Sequence, residues 1–283
     1  VRLLRLMANQ AALAIEQARL HHEELQRQRI EEELAVGRQI QISMLPAEPP
    51  RLPGWEFAAY FHAVHQVGGD FYDHFPLPGE PGRWGIIIAD VSDKGVPAAL
   101  FMALSRTTLR TIALRGRSPG EVVAGANRYI QEDSQSDMFL TAFYAELNIY
   151  NGQLLYANAG HDPPLLWRAA GNHFIELPRN SPLLGVLPEL NGTVDMVELA
   201  PGDVLVLYTD GITEAITADF REFGQGRLEE TVQRLLTEHP HTSAAGVRDA
   251  ISVAVEQFAG SMVQYDDMTL LIIKRLEASH DGQ

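Results

Sequence analysis

The stretch Trp84-Gly85-Ile86-Ile87-Ile88-Ala89-Asp90-Val91-Ser92-Asp93-Lys94-Gly95-Val96-Pro97-Ala98-Ala99 indicates a strand, a carboxylate at its end and the start of a helix. β-Branched and aromatic residues predict the strand from Trp84 to Val91. Pro97, followed by an apolar run to Leu104, predicts a buried helix. Asp90 has no adjacent basic residue to pair with a buried charge, so it requires another source of compensation.

Three further acidic motifs stand in similar settings, at Gly69-Asp70, Asp210-Gly211 and Asp266-Asp267. Carboxylates at the ends of apolar strands converge readily on Mg²⁺ or Mn²⁺, which prefer oxygen ligands. The sequence therefore predicts a metal-dependent hydrolase. Taken singly, Asp210-Gly211 is also compatible with an ordinary turn, and Asp266-Asp267 with two loop aspartates that bind no metal.

The composition limits the classes of function. The chain has 283 residues, 46% of them hydrophobic, and no cysteine, so thiolate metal sites and cysteine nucleophiles are excluded. Residues 1–46 carry six arginines and six glutamates, so the formal net charge of −15 lies in the remainder, which disfavours nucleic-acid binding. No signal peptide or membrane span is expected, and the cytoplasm is the expected location. The non-methionine start suggests a fragment of a longer protein.

Residues 1 to about 45 predict one long helix, on the order of 65 Å at 1.5 Å per residue. Mostly apolar residues at alternating spacings of four and three predict a coiled-coil seam along this helix, and the seam moves to another face of the helix near Arg29. We expect a parallel dimer, and the alternative is a surface helix that packs on its own domain. Gly37 is either a hinge or a close helix crossing. The seam residues are Leu4, Ala8, Ala11, Ile15, Ala18, His22 and Leu25.

The remainder predicts an α+β fold, because runs of strands are followed by grouped helices. Asn151-Gly152 predicts a hairpin. Further helices are expected at 119–132, 227–238 and 243–258. The other predicted strands are 55–64, 70–77, 139–149, 153–159, 164–168, 194–199, 203–208 and 268–276.

Several motifs in this order resemble the PPM superfamily of metal-dependent (type 2C-like) serine/threonine phosphatases, in its bacterial SpoIIE/RsbU-like branch. The resemblance covers roughly Ile40 to Lys274. It implies two stacked antiparallel sheets flanked by helices, with the metal site at one end. The motifs are Gly69-Asp70-Phe71-Tyr72-Asp73, Ala89-Asp90-Val91-Ser92-Asp93-Lys94-Gly95, Asn158-Ala159-Gly160-His161-Asp162, Tyr208-Thr209-Asp210-Gly211 and Asp266-Asp267-Met268-Thr269.

The resemblance also implies roles for individual residues. Asp90 would bridge two or more Mn²⁺ or Mg²⁺ ions beside the Val91 carbonyl, and a bridging water would attack phosphorus. Asp70 would serve one metal. Asp210 and Asp266 would hold the other, with Asp267 as a shared or alternate ligand.

The chain departs from the better-known eukaryotic relatives at Ser92, where they carry a histidine that protonates the leaving group. His161 and Lys94 are candidate substrate-binding residues, and His161 is also a candidate general acid. The alternatives are a turn histidine and a solvated loop lysine. Asp93 stands where members of the family often have glycine.

The resemblance implies a protein serine/threonine phosphatase acting on a phosphorylated regulatory protein, an anti-sigma-factor antagonist with a STAS fold. Residues 1–46 would be a dimerising linker helix, resembling the last helix of a GAF sensor domain, and residues 47–283 the catalytic domain. Gly37, Ile40 and Met44 are the candidate regulatory positions. The alternative is a catalytically silent partner-binding module.

Overall fold

The computed structural model describes residues 2–133, 138–260, 262 and 264–277. The helices are α1 (Arg2–Met44), α2 (Val96–Ala113), α3 (Pro119–Asp133), α4 (Asp210–Thr213), α5 (Gly224–Glu238) and α6 (Ala244–Ala259). The strands are β1 (Trp55–His62), β2 (Phe71–Pro76), β3 (Arg83–Val91), β4 (Leu140–Asn148), β5 (Gln153–Ala159), β6 (Leu165–Arg168), β7 (His173–Glu176), β8 (Asp195–Glu198), β9 (Val204–Tyr208) and β10 (Met268–Arg275).

The strands form two antiparallel sheets of five strands each. Sheet A has the order β1-β10-β9-β6-β7, and sheet B has the order β2-β3-β4-β5-β8. Helices α5 and α6 cover the outer face of sheet A, whereas α2 and α3 pack on sheet B. The predicted α+β sandwich with flanking helices is therefore confirmed.

The central strands of sheet A explain why their sequences are apolar without alternation. In β10, Leu270 and Ile272 face the helices α5 and α6, whereas Leu271 and Ile273 face sheet B. Successive side chains of a strand point to opposite faces, so a strand buried on both faces needs apolar residues at every position. This double burial holds β9 and β10 in place, and β9 leads to Asp210 while β10 follows Asp266 and Asp267.

The predicted strands and helices are confirmed to within a few residues at their ends, and the Asn151-Gly152 hairpin joins β4 to β5. Two short elements were missed. Strand β7 has only four residues, three of them exposed, and it exists because it pairs with β6. Helix α4 is a single turn that follows β9 directly. Neither is long enough to show a periodic pattern.

Helix α1 is continuous over 43 residues and passes through Gly37 without a break. A Cβ atom at Gly37 would lie 3.6 Å from Val67, an ordinary contact, so the crossing there does not require glycine. The predicted seam residues from Ala11 to Leu25 are exposed, and the side chains of Leu4 and Ala8 lie outside the described set. The predicted dimer stays a prediction.

Within the described residues, the longest and most apolar helices still fall short of what a bilayer span needs.

Candidate active site

The four acidic motifs come together where strands of the two sheets end. Asp70 immediately precedes β2, and Asp90 is the penultimate residue of β3. Asp210 begins α4 directly after β9, while Asp266 and Asp267 immediately precede β10. Because β3 lies inside sheet B while β9 and β10 lie inside sheet A, the site joins the two sheets.

Asp70 is held by hydroxyl groups from the opposite sheet. Thr209 Oγ1 donates to Asp70 Oδ2 at 2.6 Å, and Thr269 Oγ1 donates to the same oxygen at 2.8 Å. The two threonines are themselves joined, since the Thr269 amide donates to Thr209 Oγ1 at 3.0 Å. This arrangement fixes the orientation of a carboxylate that is only 1% exposed.

Asp267 is bonded to backbone amides rather than to other side chains. Its Oδ1 accepts from the Val64 amide at 2.8 Å and its Oδ2 from the Gly69 amide at 2.7 Å. A Cβ atom at Gly68 would collide with this carboxylate, and one at Gly211 would collide with the Asp267 carbonyl oxygen. Glycine is therefore required at both positions by close approach of the motifs.

Asp266 is paired with Lys94, one of the two lysines of the chain. Lys94 Nζ lies 2.8 Å from Asp266 Oδ2 and donates to the Tyr265 carbonyl at 2.6 Å. Partial burial lowers the pKa of Lys94, but the hydrogen bond and charge of Asp266 outweigh that effect and the net shift is upward. The ammonium thus sits at the edge of the acidic cluster.

The carboxylates destabilise one another's charged forms. Burial is the main reason why the pKa of Asp90 is raised to about 7, and the charge of Asp210 adds to it. Burial, together with the charges of Asp90 and Asp267, raises the pKa of Asp70 well above its usual range. Burial and Glu214 raise the pKa of Asp210 to about 6. Such crowding of like charges favours a bound cation.

The donor set suits a hard divalent ion, because every candidate ligand is an oxygen atom. Across the described ranges, however, no three acidic or histidine side chains form a ready-made metal cluster. In this arrangement Asp267 accepts hydrogen bonds from backbone amides and Asp266 is paired with Lys94. Metal binding would thus require Asp266 to exchange its ammonium partner for the ion.

His161 follows β5, two strands from Asp90 on β3, and it is closed off from solvent. It is 1% exposed, and its Nδ1 is 2.8 Å from Thr141 Oγ1. Thr141 stands opposite Asp90 in the β3–β4 register. Burial lowers the pKa of His161 to about 3, so the ring is neutral at pH 7. This burial and the bond to Thr141 favour the alternative of a structural histidine, while the substrate contact and the general acid stay predictions.

The buried neutral state of His161 makes a prediction for acid stability. Its pKa is about 3 in the folded protein and near 6.5 in the unfolded chain, so the unfolded chain binds the extra proton between these values. The contribution of neutral His161 to the unfolding free energy is therefore complete above pH 6.5. As the pH falls from 6.5 towards 3, the unfolding free energy of the parent decreases by about 1.4 kcal/mol per pH unit. We expect urea titrations of the parent and His161→Gln to show a difference in unfolding free energy that shrinks from pH 6.5 to pH 4. A constant difference would contradict this assignment.

Two neighbouring polar residues, Asp73 and Ser92, have structural partners, and a third, Asp93, has a left-handed backbone conformation. Asp73, fully buried, lies 2.8 Å from Arg106 Nη2 and from Arg110 Nη1, which tie α2 to β2. Ser92 Oγ accepts from the Phe139 amide at 3.0 Å. Asp93 is exposed with φ at 79°, in the left-handed region that favours glycine. Glycine adopts this conformation without strain, which explains why members of the PPM superfamily often have glycine at this position.

Sequence reasoning missed the contact made by Gln41 of α1. This side chain is 4% exposed, its Nε2 donates to the Gly68 carbonyl at 2.6 Å, and its Oε1 accepts from the Gly68 amide at 3.1 Å. The signal available in the sequence was its position next to Ile40 and one helical turn after Gly37, two of the candidate regulatory positions. Gln41 joins α1 to the glycine pair that precedes Asp70.

The chain resembles known proteins over most of its length. Residues 80–276 match the family model described as Stage II sporulation protein E (SpoIIE). Protein IcfG of Synechocystis sp. is 33% identical over 86% of this chain and 41% of its own length. Phosphoserine phosphatase RsbU of Bacillus subtilis is 30% identical over 88% of this chain and 71% of its own length.

The fold agrees with these relationships. The SiaA-PP2C domain of Pseudomonas aeruginosa superimposes with a TM-score of 0.74 at 20% identity, covering 89% of this chain and 98% of that domain. The chain spans less than half the length of IcfG. From the matched family model, the identity to RsbU and the shared architecture, we conclude that the chain belongs to the SpoIIE family of PP2C-type phosphatase domains.

Proposed function

We propose that this protein is a phosphatase, dependent on Mn²⁺ or Mg²⁺, that hydrolyses phosphoserine or phosphothreonine on a regulatory protein. The observation that carries the proposal is the cluster of Asp70, Asp90, Asp210 and Asp266, whose members stand at the ends of strands from both sheets. The raised pKa values of Asp70, Asp90 and Asp210 support a cation as their partner. Residues 47–283 would form the catalytic domain.

The proposed ligands follow from their positions in the cluster. Asp90 would bridge two ions, with the Val91 carbonyl as a neighbouring ligand and Asp70 on one side. Asp210 and Asp266 would hold the other side, with Asp267 as an alternate ligand. When bound, the ions would lower the pKa of a water molecule and stabilise negative charge on the phosphoryl group.

The chain's own groups would prepare this site. Thr209 and Thr269 orient Asp70 through their hydroxyl groups. Asp267 holds the Gly69 amide, which keeps the segment before Asp70 in place. Lys94, released from Asp266, would carry a positive charge at the rim, where a phosphate oxygen of the substrate can accept a hydrogen bond.

The proposed substrate is a phosphorylated protein, specifically a STAS-type anti-sigma-factor antagonist in the cytoplasm. Support comes from the similarity to RsbU, which is named a phosphoserine phosphatase. The net charge of −15 fits a protein partner better than a nucleic acid.

The proposed control element is α1, as a dimerising helix linked to an upstream sensor. Exposed apolar side chains along it, such as Ile15 at 70% and Leu25 at 47%, support pairing with a second copy. Near its end, a cavity of about 380 Å³ separates α1 from α2 and is bordered by Gly37, Ile40 and Met44. This space would allow α1 to shift, and Gln41 would pass the shift to Gly68.

The test of the function is phosphate release from a phosphoserine STAS-domain protein and from p-nitrophenyl phosphate, each with Mn²⁺ or with EDTA. We expect Mn²⁺-dependent release from both, with a far larger kcat/KM for the phosphoprotein. Release from neither, by folded protein, would favour the silent partner-binding module. Equal kcat/KM for the two would indicate an enzyme without a protein substrate.

A further inference from the structure

Among the described residues of 47–283, Phe220 is the most exposed large apolar residue, with 77% of its surface accessible. Its backbone φ is 59°, in the left-handed region that a bulky residue rarely adopts. Neighbouring Phe223 is 3% exposed and packs edge to face on Phe258, with ring centroids 5.5 Å apart. The two phenylalanines of this segment are therefore used in opposite ways.

The segment 215–223, which we call the Phe220 hairpin, is held by its own hydrogen bonds. The Phe223 amide donates to the Ala215 carbonyl at 2.8 Å, and the Thr217 amide donates to the Arg221 carbonyl at 3.0 Å. Thr217 Oγ1 donates to Asp219 at 2.6 Å and accepts from the Arg221 amide at 3.2 Å. These bonds fix the turn and keep Phe220 pointing away from the core, at a cost in backbone strain.

The Phe220 hairpin follows α4, the helical turn that begins at Asp210 of the acidic cluster. It begins five residues after Asp210, and Glu222 within it acts electrostatically on Glu214, as does Asp266. Its base and the segment before β10 border the same cavity of about 130 Å³, through Ile216 on one side and Gln264 on the other. The neighbour of Gln264, Tyr265, is 57% exposed and accepts a hydrogen bond from Lys94.

We propose that Phe220 is a docking anchor for the phosphoprotein substrate, presented by a strained rigid hairpin at the rim of the site. This inference rests on the proposed phosphatase function. The partner it fits is a folded protein that carries an apolar patch beside its phosphorylated residue. A rigid aromatic side chain loses little conformational freedom on binding, which is why such residues dominate interface energetics. Tyr265 would form the second aromatic contact, on the other side of the shared cavity.

The test compares the full chain with Phe220→Gly. Glycine adopts the left-handed conformation freely, so the melting temperature should be unchanged or higher. Binding of a phosphoserine STAS-domain protein, measured by fluorescence anisotropy in EDTA to prevent turnover, should weaken about tenfold. With Mn²⁺, KM for this phosphoprotein should rise similarly, while kcat/KM for p-nitrophenyl phosphate stays constant. Phe220→Asn, which also tolerates this backbone conformation, serves as a second variant.

The matched control is Met196→Ala, which removes a 62% exposed apolar side chain from the edge strand β8. Met196→Ala should leave the affinity and the KM for the phosphoprotein unchanged. Equal affinity of the parent and Phe220→Gly, or no binding by the parent, would overturn the docking role. Failure of the parent to release phosphate from either substrate would instead overturn the phosphatase, and the anisotropy result would stand separately.

Discussion

Replacing Asp90 by asparagine should reduce Mn²⁺-dependent phosphate release from a phosphoserine STAS-domain protein by more than about 100-fold, the upper range for losing an outer-shell partner of a metal ligand. Asp90 lies inside sheet B and faces carboxylates from sheet A, so an asparagine there keeps the shape but removes the charge that we propose bridges the ions. The measurement is initial rate against Mn²⁺ concentration.

Two melting-temperature measurements distinguish a loss of metal binding from misfolding in the Asp90→Asn variant. In EDTA, Asp90→Asn should melt no lower than the parent, because burial raises the pKa of Asp90 and a neutral amide avoids that penalty. Mn²⁺ should raise the melting temperature of the parent but not of the variant. The control is Asp249→Asn, an exposed acid on α6 that should behave as the parent. Undiminished release by Asp90→Asn would refute the bridging role.

Replacing Gln41 by methionine should have the second largest effect. Methionine fills the same space but leaves the Gly68 amide and carbonyl without their partners, at a cost of about 2 kcal/mol in unfolding free energy. The Gly68-Gly69 pair also fixes the approach to Asp70 and the bond to Asp267. Since small displacements in a site have large kinetic effects, kcat should fall about tenfold or more for both substrates.

Gln39→Met is the matched control, because Gln39 is exposed on the same helix two residues earlier. It should leave kcat and stability at the parent values. Urea titration and initial rates with the phosphoprotein and with p-nitrophenyl phosphate give the comparison. If Gln41→Met lost stability yet kept its kcat, the contact would only hold α1 in place, and control through this helix would need another route.

Much of the fold could be predicted because its signals are local. The doubly buried strands β3, β9 and β10 are recognisable in the sequence as apolar runs. An aspartate lies near the end of β3, another follows β9, and two precede β10. Proline at the start of α2 and Asn151-Gly152 between β4 and β5 mark boundaries for clear steric reasons. The positions of the acidic motifs at strand ends followed from these elements.

The remaining features depend on contacts between distant segments. Nothing near Asp267 in the sequence shows that its carboxylate binds amides at Val64 and Gly69. The pairing of Lys94 with Asp266 joins residues more than 170 positions apart. Burial of His161 likewise follows from packing, so its low pKa could not be read from a glycine-flanked turn.

Strand β10 pairs with β1 on one side and β9 on the other, and Asp266 and Asp267 immediately precede it. Sheet A therefore stays divided during synthesis until this strand has left the ribosome. Contacts of such long sequence separation form late, because loop closure is costly in entropy. A growing chain would carry Asp70 and Asp90 long before their partners arrive. The carboxylates proposed to hold the metal ions would thus come together only when this last strand completes sheet A.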